Sequence, residues 1–247
     1  MTAALLDEVL DAHGGEERWR RVDEIVARVQ TGGLLPRTRA PGDKLADANV
    51  SVSLDRPRAV FDPLPTAGKR AVFDQGDVRI ESSDGELLES RRDARSAFSG
   101  PSGLRRNVKW DALDTAYFAG YAMWNYLSFP LLLTLDGVEV GEGGRRDEDG
   151  STWRALTATF DESIPTHSAD QTFWIDERGL LRRHDYTAMV VSRFAAGAHL
   201  SDEHIEAGGL TFPTVRRVVP RAPGGRTLPG PTVVSLRLSG IEVTFED

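Results

Sequence analysis

The sequence predicts an α+β fold, mainly antiparallel β, in which one strongly curved sheet forms a half-barrel around a buried helix, with a helix at the N-terminus. Three features point to it. Between Thr166 and Pro220 two hairpin patterns follow one another: QTFWI, a DERG turn and LLRRHDYT, then GAHLSDEHIEA, a GG turn and LTFPTVRRVV. From Ala48 to Ser90 short strand-like runs are separated by turn residues, at the spacing of an all-antiparallel sheet. One long segment, DALDTAYFAGYAMWNYL, is apolar or aromatic nearly all round, which implies burial on most sides.

Leu5, Leu6, Val9 and Leu10 recur at helical spacing, and Gly14-Gly15 supply the stop. A short turn, EERWRRV, plants Trp19 against that helix, so residues 1–20 read as N-terminal helices. Residues 22–90 read as strands, beginning with the alternating Ile25, Ala27 and Val29. Within them Leu34 to Asp47, with two prolines and a glycine, is expected to be a loop. ANVSVSL, RAVFDP, KRAVFD, DVRIES and ELLES supply the next strands. Residues 91–110, rich in Arg, Ser and Gly, read as a loop. The buried helix spans 111–127, with Asp111 as N-cap and Asp114 favourable in the first turn. Phe129-Pro130 ends it, because the residue before proline is pushed to extended geometry. Residues 131–247 return to strands, from LLTLDGVEV to TVVSLRLSGIEVTF. About ten antiparallel strands in a single domain, 1–247, is the expected organisation.

Composition narrows the function. The 40% hydrophobic content is enough for a sizeable core. A formal net charge of −8 argues against nucleic acid as a partner. The chain has no cysteine, which removes disulfides, thiolate metal sites, cysteine nucleophiles and the acylated residue of a lipobox. MTAALLDEVLDAHGG has no basic n-region, apolar h-segment or small-residue cleavage site, so a cytoplasmic location is expected. The longest apolar passage, Ala116 to Leu135, is broken by Gly120, Asn125, Ser128 and Pro130, so stable membrane insertion is not expected.

The hairpins carry the candidate chemistry. A four-residue turn from Asp176 to Gly179 pairs Ile175 with Leu180 and puts Gln171, Phe173, Ile175, Leu180, Arg182, His184 and Tyr186 on one face. A two-residue turn at Gly208-Gly209 pairs Ala207 with Leu210. One face of that hairpin then holds His199, Ser201, Glu203, Ile205, Leu210, Phe212, Thr214, Arg216 and Val218. It is the more apolar face and is assigned inward. A one-residue slip would reverse it. In the buried helix Tyr117, Tyr121 and Trp124 fall on one stripe, whose polar tips need partners.

Two functional readings stay open beside a purely structural polar network. In the first, a metal-free enzyme transforms a small, largely apolar molecule by acid/base chemistry of a cyclase or isomerase kind. His184 or His199 shuttles a proton, Tyr186 donates to a developing oxyanion and Glu203 orients the imidazole. Arg216 holds an anionic group, and Tyr117, Tyr121, Trp124, Gln171, Phe173 and Phe212 line the pocket. In the second, the same cavity makes a non-catalytic carrier of an acyl chain or other hydrophobe. No cofactor or metal is expected: His199 and His204 differ in strand parity, and neither H-E-x-x-H nor a Cys/His set occurs. SGPSG at Ser99 to Gly103 reads as a flexible turn, GEGG at Gly141 to Gly144 as a hairpin turn, and His13 as a cation at a helix C-terminus. His167 reads as lying at a strand entrance, at a cavity rim or on the surface.

AHGGEERW before an extended strand, and FWIDERGLLRRHDY through GGLTFPTVRR, resemble the half-barrel proteins of the bacterial lipoprotein-localisation type. The resemblance is one of pattern across most of the chain, strongest in the "GL-x-x-P" return strand after a glycine turn. It implies a curved antiparallel sheet that wraps helices and leaves a cavity for acyl chains.

Overall fold

Thirteen antiparallel strands hydrogen-bond in one sheet in the computed structural model, which describes residues 4–40, 46–100, 103, 106, 108–148 and 150–246. The first six are β1 (Val22–Gly32), β2 (Ala48–Ser53), β3 (Arg58–Asp62), β4 (Lys69–Asp74), β5 (Asp77–Ser82) and β6 (Leu87–Arg91). The other seven are β7 (Val138–Glu148), β8 (Ser151–Phe160), β9 (Asp170–Ile175), β10 (Leu181–Thr187), β11 (Ala196–Ala207), β12 (Leu210–Pro220) and β13 (Val234–Phe245). Each group is a meander in which sequence neighbours pair, and β1 against β13 joins the two. The edges, β6 and β7, do not meet, so the curved sheet stays open as a half-barrel. The chain passes from one edge to the other through α4 (Ala112–Leu127), which lies on the inner face and is buried along almost its whole length.

Helices α1 (Ala4–Ala12) and α2 (Glu16–Arg20) bury the expected Leu5, Leu6, Val9, Leu10 and Trp19. The corner between them requires Gly14. Its φ is +112°, and a Cβ there would lie 2.3 Å from the Gly209 carbonyl oxygen of the β11–β12 turn. At the start of α4 the Asp111 carboxylate accepts from Asp114 N (2.8 Å) and the Asp114 carboxylate accepts from Asp111 N (3.1 Å). That reciprocal pair is a capping box, which Asp111 with Asp114 foreshadowed in part.

Several expectations are corrected. Leu34 to Asp47 opens with a helix, α3 (Leu34–Arg39), where Pro36 is tolerated because it sits in the first turn. Ala94–Phe98 forms a short 3-10 helix inside the expected 91–110 loop. Leu131–Thr134 is another 3-10 helix, so the strand after α4 starts only at Val138. GEGG is not a turn. Its glycines lie within β7, Gly141 in regular register with Thr157 and Gly143-Gly144 at a bulge between Glu142 and Arg145, where a Cβ on Gly143 would meet that of Ala155 at 2.9 Å. Pro101 and Ser102 of SGPSG lie outside the described residues.

The second hairpin keeps the expected register from Ala207↔Leu210 to His199↔Val218. The first does not: a bulge between Leu181 and Arg183 shifts it, so His184 pairs with Phe173. Arg182 is thereby turned outward onto Asp202 (2.6 Å). Among the described residues no helix is long and apolar enough to cross a membrane.

Candidate functional site

Six of the predicted site residues on β9–β12 converge where those strands face the C-terminal half of α4, and a seventh, Tyr121, meets them from the helix. His184 stacks on Phe173, ring centres 4.2 Å apart, and its Nε2–H donates to Gln171 Oε1 (2.5 Å). His199 meets the Tyr126 ring edge-on at 4.6 Å. Tyr186 stacks on His167 at 3.9 Å with the planes nearly parallel. Arg216 places its guanidinium 5.0 Å from the centre of the Tyr126 ring and donates from Nη2 to the Tyr126 carbonyl (3.1 Å). Ser201 sits directly across from Arg216 on the neighbouring strand.

Other predicted residues go elsewhere. Glu203 takes φ +52°, which breaks the strand alternation; its side chain is exposed and pairs with Arg237 (3.1 Å). It orients no imidazole, and Ile205 beyond it is 41% exposed. Phe212 packs under Trp19, ring centres 5.4 Å apart, away from the histidines. Tyr117 lies toward Phe73 and Arg95, which donates to its hydroxyl (3.4 Å). Trp124 is buried in the core, where its Nε1 has no partner among the described residues. Only Tyr121 of the helix stripe joins the cluster, through His167 (3.0 Å).

The cluster depends on two residues to which the sequence pattern assigned no such role. His167 is fully buried rather than at a rim or surface, and its Nε2 lies 2.8 Å from the Tyr126 hydroxyl. Tyr126 in turn lies 3.2 Å from the Tyr186 hydroxyl. Neither shares the Tyr117–Tyr121–Trp124 stripe or a hairpin face, so no periodicity marks them. His13 is buried too, and its Nδ1–H donates to Val9 O (2.8 Å). Burial lowers it to about 4, so it is neutral rather than the expected helix-terminal cation.

Burial sets the charge state of the whole group. It holds His184 and His199 well below the ordinary imidazole value, helped by the Arg216 charge, and takes His167 to about 3. It raises Tyr126 to about 12 and Tyr186 and Tyr121 well above their usual value. At neutral pH the imidazoles are neutral, the phenols protonated, and Arg216 supplies the one formal charge of the cluster. Arg216 is 2% exposed, has no ion-pair carboxylate among the described residues and is itself lowered to about 10 by burial.

A buried base with a lowered pKa makes the folded state disfavour its charged form, so the cost is present at every pH below about 10. The drop from 12.5 corresponds to a cost on the order of 3 kcal/mol. A hydrogen bond returns about 1 kcal/mol. Arg216→Met is therefore expected to raise Tm by roughly 5 °C at pH 7, read by thermal unfolding. A fall of similar size would show that the guanidinium stabilises the empty fold.

An apolar crevice adjoins the cluster. It has a volume of about 270 Å³, lies among Phe118, Tyr186, Val191, Val218 and Val234, and is overhung by the segment 188–197. A narrower cleft of about 40 Å³ shares Phe118, Tyr186 and Val234 with it and reaches Ala122, Met123 and Tyr126 on α4. Arg216 pairs across strands with Leu236 in that cleft, and Val218 with Val234 in the crevice. A larger depression of about 480 Å³ lies among Arg95, Phe160, Asp161, Glu162 and Thr166. Its lining is about as polar as apolar, and none of the predicted site residues reaches it. The crevice, apolar and lined by Tyr186, is the better candidate for a ligand. Among the described residues no group of three or more His, Asp or Glu is placed to hold a metal ion.

No protein-family model matches the chain, and no curated protein matches its sequence. Among solved structures it is similar to a LolA superfamily protein from Nitrosomonas europaea, with a TM-score of 0.54 at 12% identity over 100% of this chain and 96% of the other. A DUF1329 family protein from Desulfovibrio piger aligns at a TM-score of 0.49 and 14% identity, over 97% and 92% of the two chains. The first similarity shows that the half-barrel fold is shared with the LolA superfamily, in line with the pattern resemblance in the sequence.

Proposed function

We propose that the protein binds a small, largely apolar molecule in the crevice between α4 and the β10–β13 wall, and that it does so as a carrier rather than as an enzyme. The observation that supports this reading is the crevice itself: its walls are apolar, Tyr186 lines it, and Tyr126 lines the narrow cleft beside it. Its volume suits a single small guest. The cyclase or isomerase reading needs His184 or His199 at the guest, and neither lines the crevice. Both imidazoles are instead packed against rings and held neutral.

The test uses N-phenyl-1-naphthylamine, an uncharged apolar dye whose fluorescence rises on burial. Saturable binding to the full chain is expected, and Ala196→Trp, which places an indole in the crevice wall, should weaken it at least tenfold while Tm changes little. Absence of saturable binding by the parent protein would refute the crevice as a ligand site.

A further inference from the structure

The hydroxyls and imidazole beneath the crevice form one unbranched chain: Tyr121 hydroxyl to His167 Nδ1 (3.0 Å), His167 Nε2 to Tyr126 hydroxyl (2.8 Å), and Tyr126 hydroxyl to Tyr186 hydroxyl (3.2 Å). A neutral imidazole has one N–H and one acceptor nitrogen, and each phenol carries one proton. The chain therefore holds four donors and has three links, so one proton is left over, at Tyr121, at Tyr186 or, where the Tyr126 oxygen accepts from both neighbours, at Tyr126. If the links run toward Tyr121, the spare O–H belongs to Tyr121, which is fully buried and has no other hydrogen-bond partner among the described residues. If they run toward Tyr186, the spare O–H lies at a residue that lines both the crevice and its cleft. A spare O–H on Tyr126 likewise has no further acceptor among the described residues, and Tyr126 lines only the narrow cleft, whereas Tyr186 lines the crevice a guest would fill. Leaving a buried donor unmade costs about 1–3 kcal/mol, and that cost favours the direction toward Tyr186.

Tyr121 then donates to Nδ1, Nε2–H donates to Tyr126, Tyr126 donates to Tyr186, and the Tyr186 proton is free for a guest. The charge beside it is positive and uncompensated. Arg216 Nε, Ser201 Oγ and both ring nitrogens of His199 are buried without hydrogen-bond partners among the described residues. His199 lies 6.1 Å from Tyr186, ring centre to ring centre. Three of these four unsatisfied groups can donate, and all four sit on the strands behind the crevice.

We infer that the Tyr121–His167–Tyr126–Tyr186 chain is polarised in one direction and presents the Tyr186 hydroxyl, beside the Arg216 charge, to the carboxylate of an amphiphile whose apolar chain fills the crevice. This rests on the crevice being the ligand site and adds the class of guest, a medium-chain carboxylic acid anion. Tyr186 touches the guest; His167 and Tyr121 are positioning residues that set the direction of the chain.

Displacement of N-phenyl-1-naphthylamine by decanoate, methyl decanoate and decylamine tests the headgroup. Decanoate is expected to act at a concentration at least tenfold lower than either of the others. Tyr186→Phe should raise the decanoate requirement about tenfold while leaving dye affinity within twofold. Equal potency of the three compounds, with the dye still bound, overturns the inference and leaves the crevice reading standing; no dye binding overturns both. Nitrogen-15 NMR of the unliganded parent protein tests the direction without any ligand. His167 should be the Nε2–H tautomer, and the Nδ1–H tautomer would overturn the polarised chain even if Tyr186→Phe failed to fold.

Discussion

Acidification should unfold this protein at about pH 5, well above the range in which its carboxylates are protonated. All five histidines are pushed below the ordinary imidazole value of 6.5, and burial is the leading cause for each. For His13, His167, His184 and His199 the side chains are almost wholly buried. The sign follows from proton counting. Below 6.5 the unfolded chain gains a proton at each histidine, while the folded chain gains none until about 4 at His13 and about 3 at His167. Stability is therefore intact above 6.5 and is lost as pH falls below it. Each such histidine contributes about 1.4 kcal/mol per pH unit, so four give on the order of 5 kcal/mol per unit. A net stability of roughly 5–15 kcal/mol is spent within a few units.

Circular dichroism and proton uptake followed from pH 7 to pH 4 would show a cooperative transition that absorbs about four protons. Exposed acids such as Glu8 and Asp47 are held low by Arg154 and Arg28, so they act only at lower pH. Retention of native near-UV signal at pH 4 would mean that the imidazoles are not sealed from water.

Gly120→Ala is expected to destabilise the fold by about 3 kcal/mol or more, a fall in Tm of roughly 6–12 °C. Helix propensity alone predicts the opposite, since alanine in a helix interior is favoured over glycine by about 1 kcal/mol. The reason is the closeness of α4 to β4. A Cβ on Gly120 would stand 2.2 Å from Phe73 Cβ and 2.5 Å from its Cγ. Rotating the Phe73 ring cannot relieve the first contact, because Cβ moves only with the backbone. The helix would have to lift from the sheet, disturbing the Tyr121 and Tyr126 hydroxyls that meet His167. Thermal unfolding with dye binding on the same samples checks both effects. An unchanged or raised Tm would mean that the helix and sheet have room to spare.

The architecture was legible because local chemistry is repetitive. Strands β2 to β6 announce themselves by alternation between turn residues, and the N-cap of α4 by Asp111. The Gly208-Gly209 turn sets a register that holds as far as Gly197↔Pro220. From that register the inward placement of His199, Ser201, Phe212 and Arg216 could be read directly. Where a bulge or a positive φ intervened, reading failed. The shift after Leu181 and the reversed φ at Glu203 change which side chains face inward, and no residue type marks either event.

Residue order was therefore sufficient for a curved antiparallel sheet around an all-round apolar helix, because alternation, caps and turn glycines act over a few residues. It was insufficient for the site. His167 and Tyr126 are 41 positions apart and belong to no shared period, and they meet only because α4 crosses the hollow at one height and tilt. That placement is governed by contacts such as Gly120 on Phe73, which are long-range and specific to the packed molecule. The isolation of the Arg216 charge has the same origin. Whether a carboxylate lies beside it is decided by three-dimensional packing, and here the nearest candidate in the pattern, Glu203, faces the other way.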